Sequence, residues 1–118
     1  MAPPLPLESC KQEVVESALA APSEGFGDFE RYPTLPEKVA VLTIRLVKGH
    51  PCPDGNKRLG LILASAFLES YGAEIGATTE EVEHIFRHTA GAEDYSTALA
   101  DLTHWFGETT RPLSEEED

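Results

Sequence analysis

Residues 34–72 read TLPEKVAVLTIRLVKGHPCPDGNKRLGLILASAFLESYG, two apolar runs separated by one polar loop. Thr34 followed three residues later by Glu37 is a capping box, in which hydroxyl and carboxylate each satisfy a backbone N–H that the first helical turn leaves unpaired. The helix it opens carries Val39, Ala40, Val41, Leu42, Ile44, Leu46 and Val47 and ends at Gly49. It is apolar nearly all round, and a helix without a polar face belongs in the middle of a bundle. Beyond the loop, Asn56 is a candidate N-cap for a second such helix. Leu59, Leu61, Ile62, Leu63, Ala64, Phe67 and Leu68 recur along it until Gly72 closes it.

Working outward, Ser9 with Gln12 predicts another capping box and a helix over about residues 10–21, stopped by Pro22. Residues 22–36 lose the helical period and read as an exposed loop or short hairpin. Downstream, Thr78 with Glu81 opens a helix bearing Val82, Ile85 and Phe86, and a last helix over 94–106 offers Leu99, Leu102, Trp105 and Phe106 to the core. The expectation is an all-α, compact bundle of about five or six helices, with a short flap hairpin or loop before the second helix. Residues 1–8 read as a flexible N-terminus, 9–107 as a single domain and 108–118 as an acidic tail.

The chain has 118 residues with nine Lys or Arg against twenty-one Asp or Glu, a formal charge of −12. That balance excludes a protein whose main work is gripping nucleic acid or an anionic membrane, since both need a positive field. No apolar window is long enough to span a bilayer and the N-terminus has no signal-peptide pattern, so a cytoplasmic location is expected. Two cysteines, Cys10 and Cys52, give no metal or redox spacing and read as reduced thiols, Cys52 as a small buried hydrophobe. The charge is uneven. Residues 38–58 hold five basic side chains and one acid, whereas the rest of the chain holds four and twenty, so the basic residues are concentrated where an anion would sit.

The loop HPCPDGNKR, residues 50–58, gathers groups that suit a triphosphate. Free N–H groups at a helix N-terminus bind phosphate oxygens, with Asn56, Lys57 and Arg58 beside them. Gly55 lets the backbone approach an anion closely. Asp54 is a hard oxygen ligand of the kind that holds Mg²⁺ on phosphates, and His50 is a base of the type suited to a hydroxyl proton at neutral pH. Cations at a helix N-terminus oppose the macrodipole and weaken the helix by roughly 0.3–1 kcal/mol each. Stability alone would place acids at 57 and 58, and such a conflict marks a functional site.

HPCPDGNKR resembles the signature of the Fic/Doc family, roughly HPFxDGN followed by Gly-Arg in AMP-transferring members and by Lys-Arg in Doc-type toxins. The flanks YPTLPEK (residues 32–38) and AFLESYG (66–72) are similar to the family's as well. The resemblance implies His50 as general base, Asp54 as the Mg²⁺ ligand, and Gly55, Asn56, Lys57 and Arg58 as the nucleotide and phosphate site, with ATP as co-substrate. Lys57 in place of Gly, and Leu61 where AMP-transferring members carry a second arginine, resemble the Doc subgroup. In that subgroup the nucleotide is reversed and the γ-phosphoryl group passes to a threonine of elongation factor Tu. AMP transfer to a protein hydroxyl is the alternative. Phe26, Gly27, Asp28 and Phe29 resemble the family's flap, which docks a target by strand addition. Many members block themselves with a (Ser/Thr)xxxE(Gly/Asn) helix. Here the nearest match, Thr79 with Glu83, is followed by His84, so an antitoxin in trans, Phd-like, is implied. Cys52 stands where the family has Phe, which predicts a looser loop and raises a further alternative, an impaired member acting as a binding partner.

Overall fold

A computed structural model describes residues 9–113. The chain runs α1 (Gln12–Ala20), β1 (Gly25–Phe26), β2 (Phe29–Glu30), α2 (Leu35–Gly49), α3 (Asn56–Ser70), β3 (Ala73–Ile75), α4 (Thr79–Gly91), α5 (Tyr95–Thr109) and β4 (Thr110–Pro112). This is the expected helical bundle, with α2 in contact with all four other helices. Residues 1–8 and 114–118, expected to be a flexible end and the end of an acidic tail, lie outside the described residues.

α2 is central because its sequence allows nothing else. Val39, Ala40, Ile44 and Val47 meet α3, α4 and α5 in one buried cluster with Leu68, Phe86, Leu102 and Phe106. Its other side, Leu42 and Leu46, packs with Ala18 of α1 and Leu59 of α3. Thr43 also lies inside, its hydroxyl donating to the Val39 carbonyl at 2.7 Å. That bond removes the cost of burying an unpaired polar group. Gly60 of α3 is in close contact with this helix: a Cβ there would stand 3.3 Å from Val47 Cγ2 and from Phe86 Cε2.

The capping boxes at Thr34 and Thr78 form as expected. The one at Ser9 does not. α1 is capped at Lys11 without a side-chain bond, because the Lys11 N–H donates to the Pro51 carbonyl at 2.7 Å and the segment before the helix is fastened to the central loop. Asn56 is likewise not an N-cap. Gly55 takes that place at φ 80°, leaving Asn56 as the first residue of α3. At the other end, residues 108–113 are not simply a tail. α5 runs to Thr109 and β4 pairs antiparallel with β3, Glu74 opposite Arg111.

The irregular segment before α2 is a two-stranded hairpin with Phe26 opposite Phe29. Gly25 is required there, since a Cβ would stand 2.1 Å from the Phe29 carbonyl oxygen. The base of the hairpin is held by two cations of α2. Lys38 Nζ donates to the carbonyls of Tyr32 (2.6 Å) and Pro22 (3.3 Å) and to Glu30 Oε1 (2.7 Å). Arg45 makes a two-pronged bond to Glu24, at 2.6 and 3.1 Å. Lys48 donates to the Ala90 and Ala92 carbonyls at the C-terminal end of α4, where the macrodipole favours a cation. Three of the five basic residues of 38–58 therefore serve the scaffold, correcting the reading that the whole positive stretch faces an anion.

Two outcomes are expected. Phe106 is fully buried, and Phe106→Ala should lower unfolding free energy by about 3–5 kcal/mol in a denaturant titration. The hydrogen bond from Arg45 holds the Glu24 carboxyl below its ordinary 4.5. A carboxylate with a depressed folded value stabilises fully above the ordinary value and loses that contribution as pH falls through the depressed one. Acidification below 4.5 should therefore loosen the hairpin, seen as faster amide exchange at Arg31, whose N–H donates to the Glu24 carbonyl. Glu24→Gln should show the loose hairpin at neutral pH.

Candidate functional site

α2 ends at Gly49, and His50 turns the chain by adopting the left-handed conformation, φ 45°. It is the one non-glycine residue with positive φ among those described. A residue held in that region costs on the order of 1–3 kcal/mol and persists where the surroundings enforce it, which is typical of active sites. Here the enforcement comes from the next residues. Pro51 and Cys52 are buried, and Cys52 is joined to Cys10 by a disulfide across 42 residues of sequence. The expectation of two reduced thiols is thereby corrected. The expected looseness at position 52 is corrected too. Where the family has an aromatic anchor, a covalent bond fastens the loop beside Leu42, Leu46 and Leu59.

Asn56 closes the loop from the other side. Its Oδ1 accepts from the Cys52 N–H at 2.8 Å and its Nδ2 donates to the Cys52 carbonyl at 2.9 Å. Nδ2 also stands 3.3 Å from His50 Nδ1. Asn56 thus clamps the loop across four residues. Gly55, left-handed at φ 80°, brings the chain into α3, whose first helical bond runs from the Leu59 N–H to the Gly55 carbonyl at 2.8 Å.

His50, Asp54, Gly55, Asn56, Lys57 and Arg58 all line one cavity of about 720 Å³, a volume in the range of small-molecule sites. Lys57 and Asp54 are exposed at it and Arg58 is half-buried. The opposite wall comes from α4 and the residues before it: Ala77, Thr79, Val82, Glu83, Phe86 and Ala90. One end is thus cationic and rich in helix N-terminal N–H groups. Leu61, Val82 and Phe86 add an apolar surface, and Thr79 and Glu83 a polar one. Leu61 both lines the cavity and packs against the core cluster.

The four flap residues, Phe26, Gly27, Asp28 and Phe29, are exposed and do not line the cavity. Their rings, 80% and 57% exposed, stand 5.5 Å apart between centroids. The α4 wall was not legible as site from the sequence. The one signal there was the Thr79 and Glu83 pair, both of which reach the cavity, with Glu83 accepting from Arg87 at 2.8 Å. His88, spaced from His84 like a metal ligand, instead meets Asp101 at 3.0 Å.

A sequence profile of the Fic/DOC family matches residues 5–68, more than half of the 118 residues. The chain belongs to that family, whose members are typically transferases. Neither a curated protein nor a solved structure matches it. Among the described residues no helix is long and apolar enough to cross a membrane.

Removing the Asn56 carboxamide leaves the Cys52 N–H and carbonyl without their buried partner. Asn56→Ala should cost about 1–3 kcal/mol of stability, measured by thermal or denaturant unfolding. A cost near zero would show that the clamp does not hold the loop.

Proposed function

We propose that the chain transfers the γ-phosphoryl group of Mg-ATP to a hydroxyl of a target protein, as a Doc-type toxin. The observation that supports this reading most is the pairing of Lys57 and Leu61 at one cavity. Lys57 adds bulk and charge where AMP-transferring relatives leave room with Gly, and Leu61 withholds the second arginine. Whichever phosphorus lies in line with the attacking oxygen is the one transferred, so residues that turn the nucleotide decide the reaction.

In the proposed step His50 takes the proton of the target hydroxyl as its oxygen bonds to the γ-phosphorus. The bond between that phosphorus and the β–γ bridging oxygen breaks, and ADP leaves. Lys57, Arg58 and the first N–H groups of α3 hold the phosphate oxygens and the charge that accumulates on them. Asp54 suits Mg²⁺, which is commonly held by one or two carboxylates together with substrate phosphates. The ion's chemistry there is to neutralise phosphate charge. The apolar wall of Leu61, Val82 and Phe86 receives the base. Elongation factor Tu as target and a Phd-like antitoxin acting in trans belong to the same proposal, with arrest of translation in the cytoplasm as its consequence. The exposed Phe26 and Phe29 hairpin is the edge along which a target segment would add.

The deciding experiment is incubation in reducing buffer with α- and γ-labelled ATP, Mg²⁺ and purified elongation factor Tu or bacterial lysate. Label is expected on protein from the γ position alone, with His50→Ala reducing the rate by about 10²–10⁴-fold. Label from the α position would replace this reading with AMP transfer. No label from either, with ATP still bound, would favour an impaired member that acts as a binding partner.

A further inference from the structure

The calling of His50 a base rests on the transfer reading above; the placement of its ring does not. That placement traces back through a continuous chain of contacts to a residue far away in sequence. Cys10, just before α1, is bonded to Cys52, and both are nearly buried, 7% and 5% exposed. The neighbouring Lys11 N–H donates to the Pro51 carbonyl at 2.7 Å, so the loop is fixed at two consecutive residues. The backbone of Cys52 then fixes Asn56. A carboxamide has one acceptor oxygen and one donor nitrogen. Cys52 engages one of each, its N–H giving to Oδ1 at 2.8 Å and its carbonyl receiving from Nδ2 at 2.9 Å. Turning the carboxamide over would set donor against donor and acceptor against acceptor. The atom 3.3 Å from His50 Nδ1 is therefore a donor, Nδ2. His50 Nδ1 must accept, so the neutral ring carries its proton on Nε2.

We propose that Cys10 and Cys52 are positioning residues for His50, and that their disulfide, acting through the Asn56 carboxamide, sets the tautomer of the imidazole. The bond is thereby a redox control of the site: with Nδ1 engaged by Asn56 and Nε2 protonated, the oxidised ring offers no free lone pair to a target hydroxyl, and reduction restores one. Reduction by a dithiol breaks the S–S bond, places one proton on each cysteine sulfur and leaves the dithiol oxidised to its own disulfide. Two thiols cannot occupy the space of one disulfide, so residue 52 separates from residue 10. The Cys52 backbone moves with it, and Asn56 loses the pair of groups that orient it. His50 is then free to exchange its proton between both nitrogens.

The test uses the whole chain labelled with ¹⁵N at histidine and backbone amides, before and after treatment with dithiothreitol at a pH where the ring is neutral. In the oxidised protein, long-range ¹H–¹⁵N spectra are expected to show His50 with Nε2 protonated and Nδ1 bare, and a protected Cys52 amide. After reduction the two nitrogen shifts should move toward each other as the tautomers average. The Cys52 amide should then exchange faster, on the order of tenfold. Cys10→Ser should give the reduced pattern in either buffer. The helical circular dichroism should stay unchanged throughout. Unaltered His50 nitrogens and an unaltered Cys52 amide after reduction would overturn the proposal. So would free thiols in protein purified in air, or a loss of helical signal on reduction, since the bond would then hold the domain rather than the loop. No arm uses ATP or a target, so a chain without transferase activity leaves this result untouched.

Discussion

Helix α2 is the constraint on which the rest depends. Eight of its fifteen residues are buried, Val39 to Leu42 among them without a break, so it has no solvent face to offer. Its burial fixes four neighbours around it, and its own C-terminal end is therefore brought, still exposed, to the wall of the cavity. That end is His50. The same packing sets the first turn of α3 beside it, with Gly60 admitting Val47 and Phe86 at close range. The transfer proposed for this chain needs a base and a set of N–H groups within one small space. The crossing of two helices that must be buried supplies that space without a dedicated domain.

The hydrophobic pattern made most of this legible. Runs of apolar residues and the Thr34 and Thr78 capping boxes are local signals, and local signals survive translation into structure because each is settled by neighbours in sequence. What was not legible is non-local. The Cys10 and Cys52 pairing spans 42 residues, and no spacing rule applies to a single pair. Ser9 with Gln12 looked like a helix start, yet the Lys11 N–H is taken by Pro51, an interaction that depends on a loop forty residues away. The pairing of β3 with β4 joins Ala73 to Pro112, and neither three-residue segment has an alternating pattern to announce it.

The site was legible in the same uneven way. His50 and residues 53–58 line the cavity, while the α4 wall carries only ordinary helix residues and joins them through packing alone. The charge distribution needed the structure too. Lys38, Arg45 and Lys48 look in sequence like part of one anion-binding stretch, yet they bond to the hairpin base and to the end of α4. Of that stretch Lys57 and Arg58 are the two cations that line the cavity. The net charge of −12 therefore lies mostly outside the cavity, whose lining sets Lys57 and Arg58 against Asp54 and Glu83.

The central claim is that the first turn of α3 and the loop before it form a phosphate site. Titration of the ¹⁵N-labelled chain with Mg-ATP, followed by backbone amide shifts, tests it most directly. The account predicts that the largest changes fall at residues 54–58, with smaller ones at Val82 and Phe86, and that Arg58→Ala abolishes them. Shifts confined to other surfaces, or none at millimolar nucleotide, would contradict it.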